Sequence, residues 1–189
     1  MKKTITPFTV QLVAFETTVP VREVIARLDK AVNKSGSTQF LSQFKTVTSK
    51  VEIEELVRGA LGESGFLYVV IPKQRHATVL RVTLNRYFRE LNHDRWLTVN
   101  EGRVHPVAAV YTIGNPLIAQ IIMQHDIRAG YTIPLRLMIL EKADGTGTEV
   151  IYHLPSSVIM ALTSNPDLKV VLQGLDEKLE KLVLNITTD

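Results

Sequence analysis

Apolar positions recur along the chain at two spacings, and these spacings predict its secondary structure. Residues 8–16 alternate, with Phe8, Val10, Leu12 and Ala14 on one side, which is the period of a half-buried strand. Near the other end, apolar residues keep helical spacing for about five turns and predict the longest helix. Its stripe consists of Leu168, Val171, Leu172, Leu175, Leu179, Leu182, Val183 and Ile186.

Two more helices are predicted in the first third of the chain. Pro20 suits the first helical position, because the N–H that proline lacks has no partner there, and an apolar stripe follows it as far as Ser35 and Gly36. Ser49 and Glu52 have capping-box spacing, in which each side chain satisfies a free N–H at the helix start. Residues 37–48 between these helices give only a weak pattern.

The second half of the chain predicts strand, tight turn, helix and hairpin in that order. The apolar run 110–113 stops at Gly114-Asn115-Pro116 and continues as an amphipathic segment to residue 126. Two further apolar runs, 133–141 and 149–154, are joined by Asp144-Gly145-Thr146-Gly147, a sequence typical of a turn. These runs predict a hairpin.

Between these halves the pattern is less clear. Residues 66–71 predict a strand, and 96–99 and 104–113 predict two strands around a turn at 100–102. The segment 77–91 fits a helix or a strand, and its length favours a helix with Asn92 as a left-handed stop.

The order of these elements predicts an α+β fold, in which helices pack on one face of an antiparallel or mixed sheet. Alternation in the strands indicates one covered face and one barer face. An uncovered face or a long apolar edge invites a partner, so we expect a homodimer.

Composition narrows the class of protein. The chain has 189 residues, 45% hydrophobic and 22% charged, which predicts a single globular domain over 1–189. It has no cysteine, so disulfides, thiolate nucleophiles and cysteine zinc sites are excluded. No run approaches the roughly 20 apolar residues of a membrane span, and no signal peptide is predicted. We therefore expect a cytoplasmic protein without membrane contact.

The positive charge of the chain is local. The net charge is +3, whereas between residues 73 and 103 basic side chains exceed acidic ones by four. Arg81, Arg89, Tyr87 and Trp96 would supply charge and stacking groups for nucleic acid or an acidic surface. The alternative is a solvated face with scattered charges.

The strongest candidate site is Gly114-Asn115-Pro116, where a strand turns directly into a helix. With Asn115 as the N-cap, the first N–H groups and the helix dipole would face an anion. The alternative is a strand-to-helix turn without a ligand. Arg136 alternates out of an apolar strand and could hold the same anion, and Tyr152 and His153 must face opposite ways.

A catalytic alternative uses His125, Tyr152 or His153 as acid–base groups. His125 and Asp126 end the predicted helix, where the helix dipole and the capping of free carbonyls are the favoured explanation of the histidine. The five histidines lack the spacing of metal ligands, so neither a metal nor a cofactor is predicted.

Several of these segments together resemble the family known as domain of unknown function 302. The resemblance rests on residues 111–119, on His125-Asp126, on Ala129-Gly130, on 133–136, and on the 144–145 hairpin leading to Tyr152. The closing helix and the opening strand and helix are also similar to this family.

The resemblance implies a TATA-binding-protein-like β-α-β(4)-α fold in small bacterial proteins that pair as dimers, with no established activity. It also implies an inserted helical segment near 73–100, to which no family feature corresponds. Many members carry a cysteine where this chain has Gly114, so thiol chemistry does not carry over.

These observations predict a homodimeric binding module for a small anion, with Gly114, Asn115, Arg136 and Tyr152 as ligand-binding residues. The alternatives are the acid–base enzyme and nucleic-acid or acidic-surface binding through residues 73–95.

Overall fold

An antiparallel five-stranded sheet organises the part of the chain that the structure describes. The structure is a computed structural model, and it describes residues 1–44, 46–69, 92–163 and 165–189. The strand order is β1-β5-β4-β3-β2. The strands are β1 (Leu12–Thr17), β2 (Leu67–Tyr68), β3 (Ala108–Gly114), β4 (Leu135–Glu141) and β5 (Thr148–His153).

Helices fill most of the connections between these strands. They are α1 (Val21–Ala31), α2 (Ser37–Phe44), α3 (Lys50–Ala60), α4 (His93–Glu101), α5 (Pro116–His125), α6 (Pro155–Ile159) and α7 (Leu168–Thr187). A 3-10 helix (Ile127–Thr132) joins α5 to β4. No described helix is both long and apolar enough to cross a bilayer.

One face of the sheet carries the main core, against α1 and α7. Leu137, Ile139 and Val150 from the central strands are fully buried there. The apolar stripes of α1 and α7 pack in the same cluster, because residues three and four apart share one side of a helix. α1 and α7 therefore cover this face, whereas the other face is largely exposed, with α4 beside it at the Ala108 end.

The other face of the sheet, here called the open face, consists of three rows of side chains that run across β1, β5, β4 and β3. The first row is Leu12, His153, Arg136 and Thr112. The second is Ala14, Ile151, Met138 and Val110, and the third is Glu16, Glu149, Leu140 and Ala108. Apart from Ala108, these residues are exposed or half-buried.

The α+β class is confirmed, and so are the elements with the strongest patterns. The α1 and α7 stripes are buried as predicted. Ser49 accepts a hydrogen bond from the Glu52 N–H at the start of α3, and the Glu52 carboxylate accepts one from the Thr48 N–H at 2.9 Å. The β4–β5 hairpin has its turn where expected, with Gly145 and Gly147 both at positive φ.

The predicted burial of the first strand is wrong by one residue. The strand begins at Leu12, and Val13 and Phe15 pack on the core, whereas Leu12 and Ala14 are exposed. A shift of one residue moves every side chain of a strand to the opposite face. Because four successive residues here are apolar, alternation alone could not choose the buried side.

The predicted strand at 96–99 is also wrong, because these residues lie within α4. Gly102 ends that helix in a left-handed conformation (φ 69°), and the Asp94 carboxylate accepts a hydrogen bond from the Ala108 N–H at 3.3 Å. Asn92 precedes the helix with a φ of −75°, so it is not the predicted left-handed stop. The predicted helix at 77–91 lies outside the described residues.

Candidate functional site

The start of α5 uses its own backbone donors. The Asn115 Oδ1 accepts hydrogen bonds from the N–H groups of Leu117 (2.9 Å) and Ile118 (3.3 Å), and the Ala119 N–H bonds the Asn115 carbonyl. Pro116 at the first helical position has no N–H to offer. All donors of the first turn are therefore taken within the protein, and the expectation of free amides facing an anion is wrong.

The space beside this turn is also too small for a metabolite. A cavity of about 10 Å³ lies between Gly114, Asn115 and apolar side chains from α5, β4 and α7. That volume corresponds to about one water molecule. The Asn115 Nδ2 donates to the Gly65 carbonyl at 2.9 Å, so the side chain is held from both ends. Gly114 and Asn115 join two strands and a helix.

Arg136 and His153 lie side by side at one end of the open face. Arg136 is opposite Thr112 in the β3–β4 ladder. Leu137 pairs with Tyr152 in the antiparallel β4–β5 ladder, so the next residues along these two strands, Arg136 and His153, also lie side by side. Both side chains are exposed. They line a groove of about 650 Å³, whose other walls come from Val69, Tyr131, Thr132, Ile133, Pro134, Leu135, Pro155, Val158 and Ile159.

Neither side chain is engaged by any of the described residues around it. Within the described ranges, Arg136 and His153 form no hydrogen bond and no ion pair. By contrast, Arg27, Arg103 and Arg128 each pair with a nearby carboxylate. A solvated cation beside a groove keeps its donors available, so this end of the open face has the chemistry to receive an anion.

Tyr152 lies on the covered side of the sheet, away from Arg136. It is 3% exposed, and its ring stacks on Phe15 with centroids 6.4 Å apart. Burial, together with the negative charges of Glu180 and Asp176, raises the pKa of Tyr152 to about 12. The phenol therefore stays neutral at physiological pH, and Tyr152 does not share a site with Arg136 as predicted.

The three residues of the catalytic alternative do not meet in one cleft. Tyr152 and His153 are on opposite faces of β5. His125 lies at the end of α5, where its Nδ1 is 3.3 Å from the Asn165 Nδ2. The neighbouring Asp126 caps the 3-10 helix, because its carboxylate accepts from the Arg128 N–H at 2.9 Å. The Asp126 carboxylate therefore has a structural role at the start of the 3-10 helix.

Most of the basic segment lies outside the described residues, including Arg81, Tyr87 and Arg89. Of the part described, Arg95 and Trp96 are exposed on α4, with Trp96 at 53%.

A second groove, which the sequence pattern did not predict, lies at the opposite end of the open face. It measures about 710 Å³ and has a floor of Met138, Leu140, Pro106 and Leu97. Glu16, Glu149, Glu141 and Asp144 supply negative charge at its rim, and Lys142 pairs with Glu16 at 2.6 Å. Alternation along β4 and β5 places Met138, Leu140 and Glu149 on the open face, and the pairing of β1 with β5 adds Glu16 at the same end.

Comparisons with known proteins concern the family and the fold. A family model described as "Domain of unknown function DUF302" matches residues 83–186, which is more than half of the chain. A solved structure of an uncharacterized conserved DUF302 protein from Bacillus stearothermophilus is similar, with a TM-score of 0.58 at 12% identity. The similarity covers 93% of this chain and 97% of that one.

No match was found among curated proteins. At this identity the similar structure supports the fold alone. The family model rests on the sequence. Its match includes α4, β3, α5, β4, β5, α6 and α7 as far as residue 186, and therefore three of the four strands of the open face. The chain belongs to the DUF302 family.

Proposed function

We propose that this protein binds a small anionic ligand in the groove beside Arg136 and His153, at one end of the open face. The observation that carries the proposal is the pair of exposed nitrogen-bearing side chains in adjacent strands, which have no partner among the described residues. The proposal keeps the anion and Arg136 from the sequence prediction and moves the site away from Asn115.

The chemistry of these side chains favours a carboxylate or a phosphate. The guanidinium of Arg136 presents donors in a fork that matches two oxygens of either group. His153 adds a ring N–H, and Thr112, opposite Arg136 in the ladder, lines the same groove with a hydroxyl. The apolar walls formed by Ile133, Pro134 and Val158 would contact the carbon skeleton of the ligand.

The dimensions of the groove suit a small molecule. A volume of about 650 Å³ lies within the usual range for ligand sites, roughly 300–1,000 Å³. Tyr131 at the rim is 89% exposed. We infer that its ring folds over a bound ligand, since an aromatic side chain with one apolar face and one polar tip suits such a rim.

The test is a titration of ¹⁵N-labelled protein with inorganic phosphate, citrate and acetate, followed by NMR at constant ionic strength. We expect saturable shifts of amides in β4, β5 and the 3-10 helix. Arg136→Ala should weaken the binding by about tenfold to a hundredfold, since hydrogen bonds to charged groups contribute about 1.5–3 kcal/mol. His153→Ala should weaken it less.

Arg22→Ala is the matched control, because Arg22 is an exposed arginine on α1, behind the sheet. The affinity of Arg22→Ala for each anion should equal that of the wild type. The proposal is wrong if phosphate, citrate and acetate shift no amide of the groove, or if Arg136→Ala and Arg22→Ala behave alike.

A further inference from the structure

We propose that the open face docks a second copy of this chain, with the strands of the two sheets antiparallel across a twofold axis. The first row of each copy then lies over the third row of its partner. The homodimer expected from the sequence thus gains a specific surface. The inference shares Arg136 with the proposed anion groove, but it rests on the charge pattern of the whole face.

The open face is charged in opposite senses at its two ends. The first row carries Arg136 and His153 without an acidic residue. The third row carries Glu16 and Glu149, and the adjoining groove adds Glu141 and Asp144 against one cation, Lys142. Glu141 bonds the Val107 N–H at 3.0 Å, and Glu16 is paired with Lys142. Glu149 is therefore the carboxylate best placed to meet a cation from outside.

This polarity selects one arrangement of two copies. Stacked sheets align their strands within about 30°, so a twofold axis in the interface must run nearly along the strands or nearly across them. An axis along the strands would place Arg136 and His153 of both copies together. An axis across the strands places each basic row over the partner's acidic row, which is self-complementary.

The middle row makes an apolar centre for the same arrangement. Ala14, Ile151, Met138 and Val110 contain no charge and lie on the axis, so each would contact its counterpart in the partner. His153 would lie over Glu149 of the second copy, at the sheet spacing of about 10 Å that two interdigitated side chains fill. In the same arrangement Leu12, 64% exposed, would lie over Glu16 of the second copy, and Arg136 would lie over Leu140, one strand away from Glu149 of that copy.

The area of the open face is too small for a stable interface, which indicates that a second part of the chain contributes to the dimer contact. Four strands about 4.8 Å apart and roughly six residues long present about 400 Å², half of the 800 Å² per partner typical of a stable complex. Residues 1–10 precede β1 outside any helix or strand, with Ile5 77% and Phe8 55% exposed. We infer that this arm supplies the remaining area by lying on the partner.

The first experiment measures the mass of the protein in solution by sedimentation velocity over a range of concentrations. We expect a dimer for the wild type. Met138→Glu should give a monomer with an unchanged circular dichroism spectrum, because it buries a carboxylate at the apolar centre of the interface. Val170→Glu is the matched control, since Val170 is 76% exposed on α7 and should leave the dimer intact.

The second experiment exchanges charges across the proposed interface. Arg136→Glu alone and Glu149→Lys alone should each weaken the dimer by about tenfold or more, since each opposes like charges. Mixing these two variant chains should restore a heterodimer, in which both contacts again join opposite charges. The double variant should also dimerise. The proposal fails if the wild type is a monomer, or if neither the mixture nor the double variant recovers the dimer.

The anion site and the docking surface can be disproved separately. Glu149→Lys weakens the dimer but leaves Arg136 and His153 in place, so it should still bind phosphate in the NMR titration. If Glu149→Lys sediments as a monomer and phosphate shifts no groove amide, only the anion proposal is wrong. If phosphate binds and the charge exchange has no effect on mass, only the docking surface is wrong.

Discussion

At the scale of single residues, Asn115 shows how one side chain joins three elements. The side-chain Oδ1 caps α5, and the side-chain Nδ2 donates to the Gly65 carbonyl in the loop before β2. The backbone of Asn115 follows the last residue of β3. We predict that Asn115→Ala lowers the free energy of unfolding by about 1–2 kcal/mol, since loss of an N-cap typically costs about that much. Urea denaturation followed by circular dichroism measures it.

Asn115→Asp separates the two roles of this side chain. The carboxylate still accepts from Leu117 and Ile118, but its second oxygen would face the Gly65 carbonyl oxygen with no hydrogen between them. The difference in stability between Asn115→Asp and Asn115→Ala therefore measures whether the cap or the contact with Gly65 contributes more. Asn185→Ala, at an exposed position of α7, is the control and should change stability by less than about 0.5 kcal/mol. We also expect Asn115→Ala to bind phosphate as the wild type does. If this variant is folded but no longer binds phosphate, the anion site lies at the Asn115 turn.

At the scale of elements, the junction of α5 with the 3-10 helix depends on one ionised carboxylate. The Arg128 guanidinium, whose Nη2 donates to Asp126 at 2.6 Å, and the Arg128 N–H lower the pKa of Asp126 to about 2. In the unfolded chain this pKa returns to near 3.8. Asp126 therefore contributes stability that is complete above pH 4 and is lost as the pH falls towards 2.

We predict that Asp126→Asn makes the unfolding free energy less dependent on pH between 4 and 2. The difference between wild type and variant should be largest above pH 4 and should shrink towards pH 2. Urea denaturation at half-unit pH intervals measures it, with Asp167→Asn as the control, because Asp167 has an exposed side chain before α7. A difference that stays constant over this range would contradict the prediction.

At the scale of the whole molecule, the groove and the proposed docking surface share Arg136. An anion that occupies the guanidinium removes a cation from the dimer contact, and two events that compete for one group weaken each other equally by linkage. We predict that phosphate shifts the wild type from dimer towards monomer, by sedimentation at constant ionic strength. Sodium chloride is the control for screening.

Glu149→Lys and Arg136→Glu together test this competition. The double variant keeps opposite charges across the interface but has no arginine for the anion, so its dimer should be insensitive to phosphate. If phosphate dissociates the double variant as readily as the wild type, the effect does not pass through Arg136.

The spacing of apolar residues was sufficient to predict the helices with long apolar stripes, the β4–β5 hairpin and the α+β class. These features depend on spacing within short segments, as in the buried face of α7. Local pattern was insufficient where neighbours compete: Leu12 to Phe15 are all apolar, and only pairing with β5 decides which of them are buried. Likewise, the pattern of residues 96–99 is compatible with a strand. In the structure they are helical, with Gly102 ending the helix and Asp94 bonding to β3.

The candidate site shows the same division. Gly114-Asn115-Pro116 was correctly predicted as a strand-to-helix turn, yet whether its amides were free depended on the rotamer of Asn115 and on Gly65, fifty residues away. Arg136 could be assigned to the barer face, but its neighbour His153 and the acidic groups at the far end were fixed by strand register. Spacing along a chain specifies which side a residue faces, and only the packing of distant segments decides which residues lie beside it.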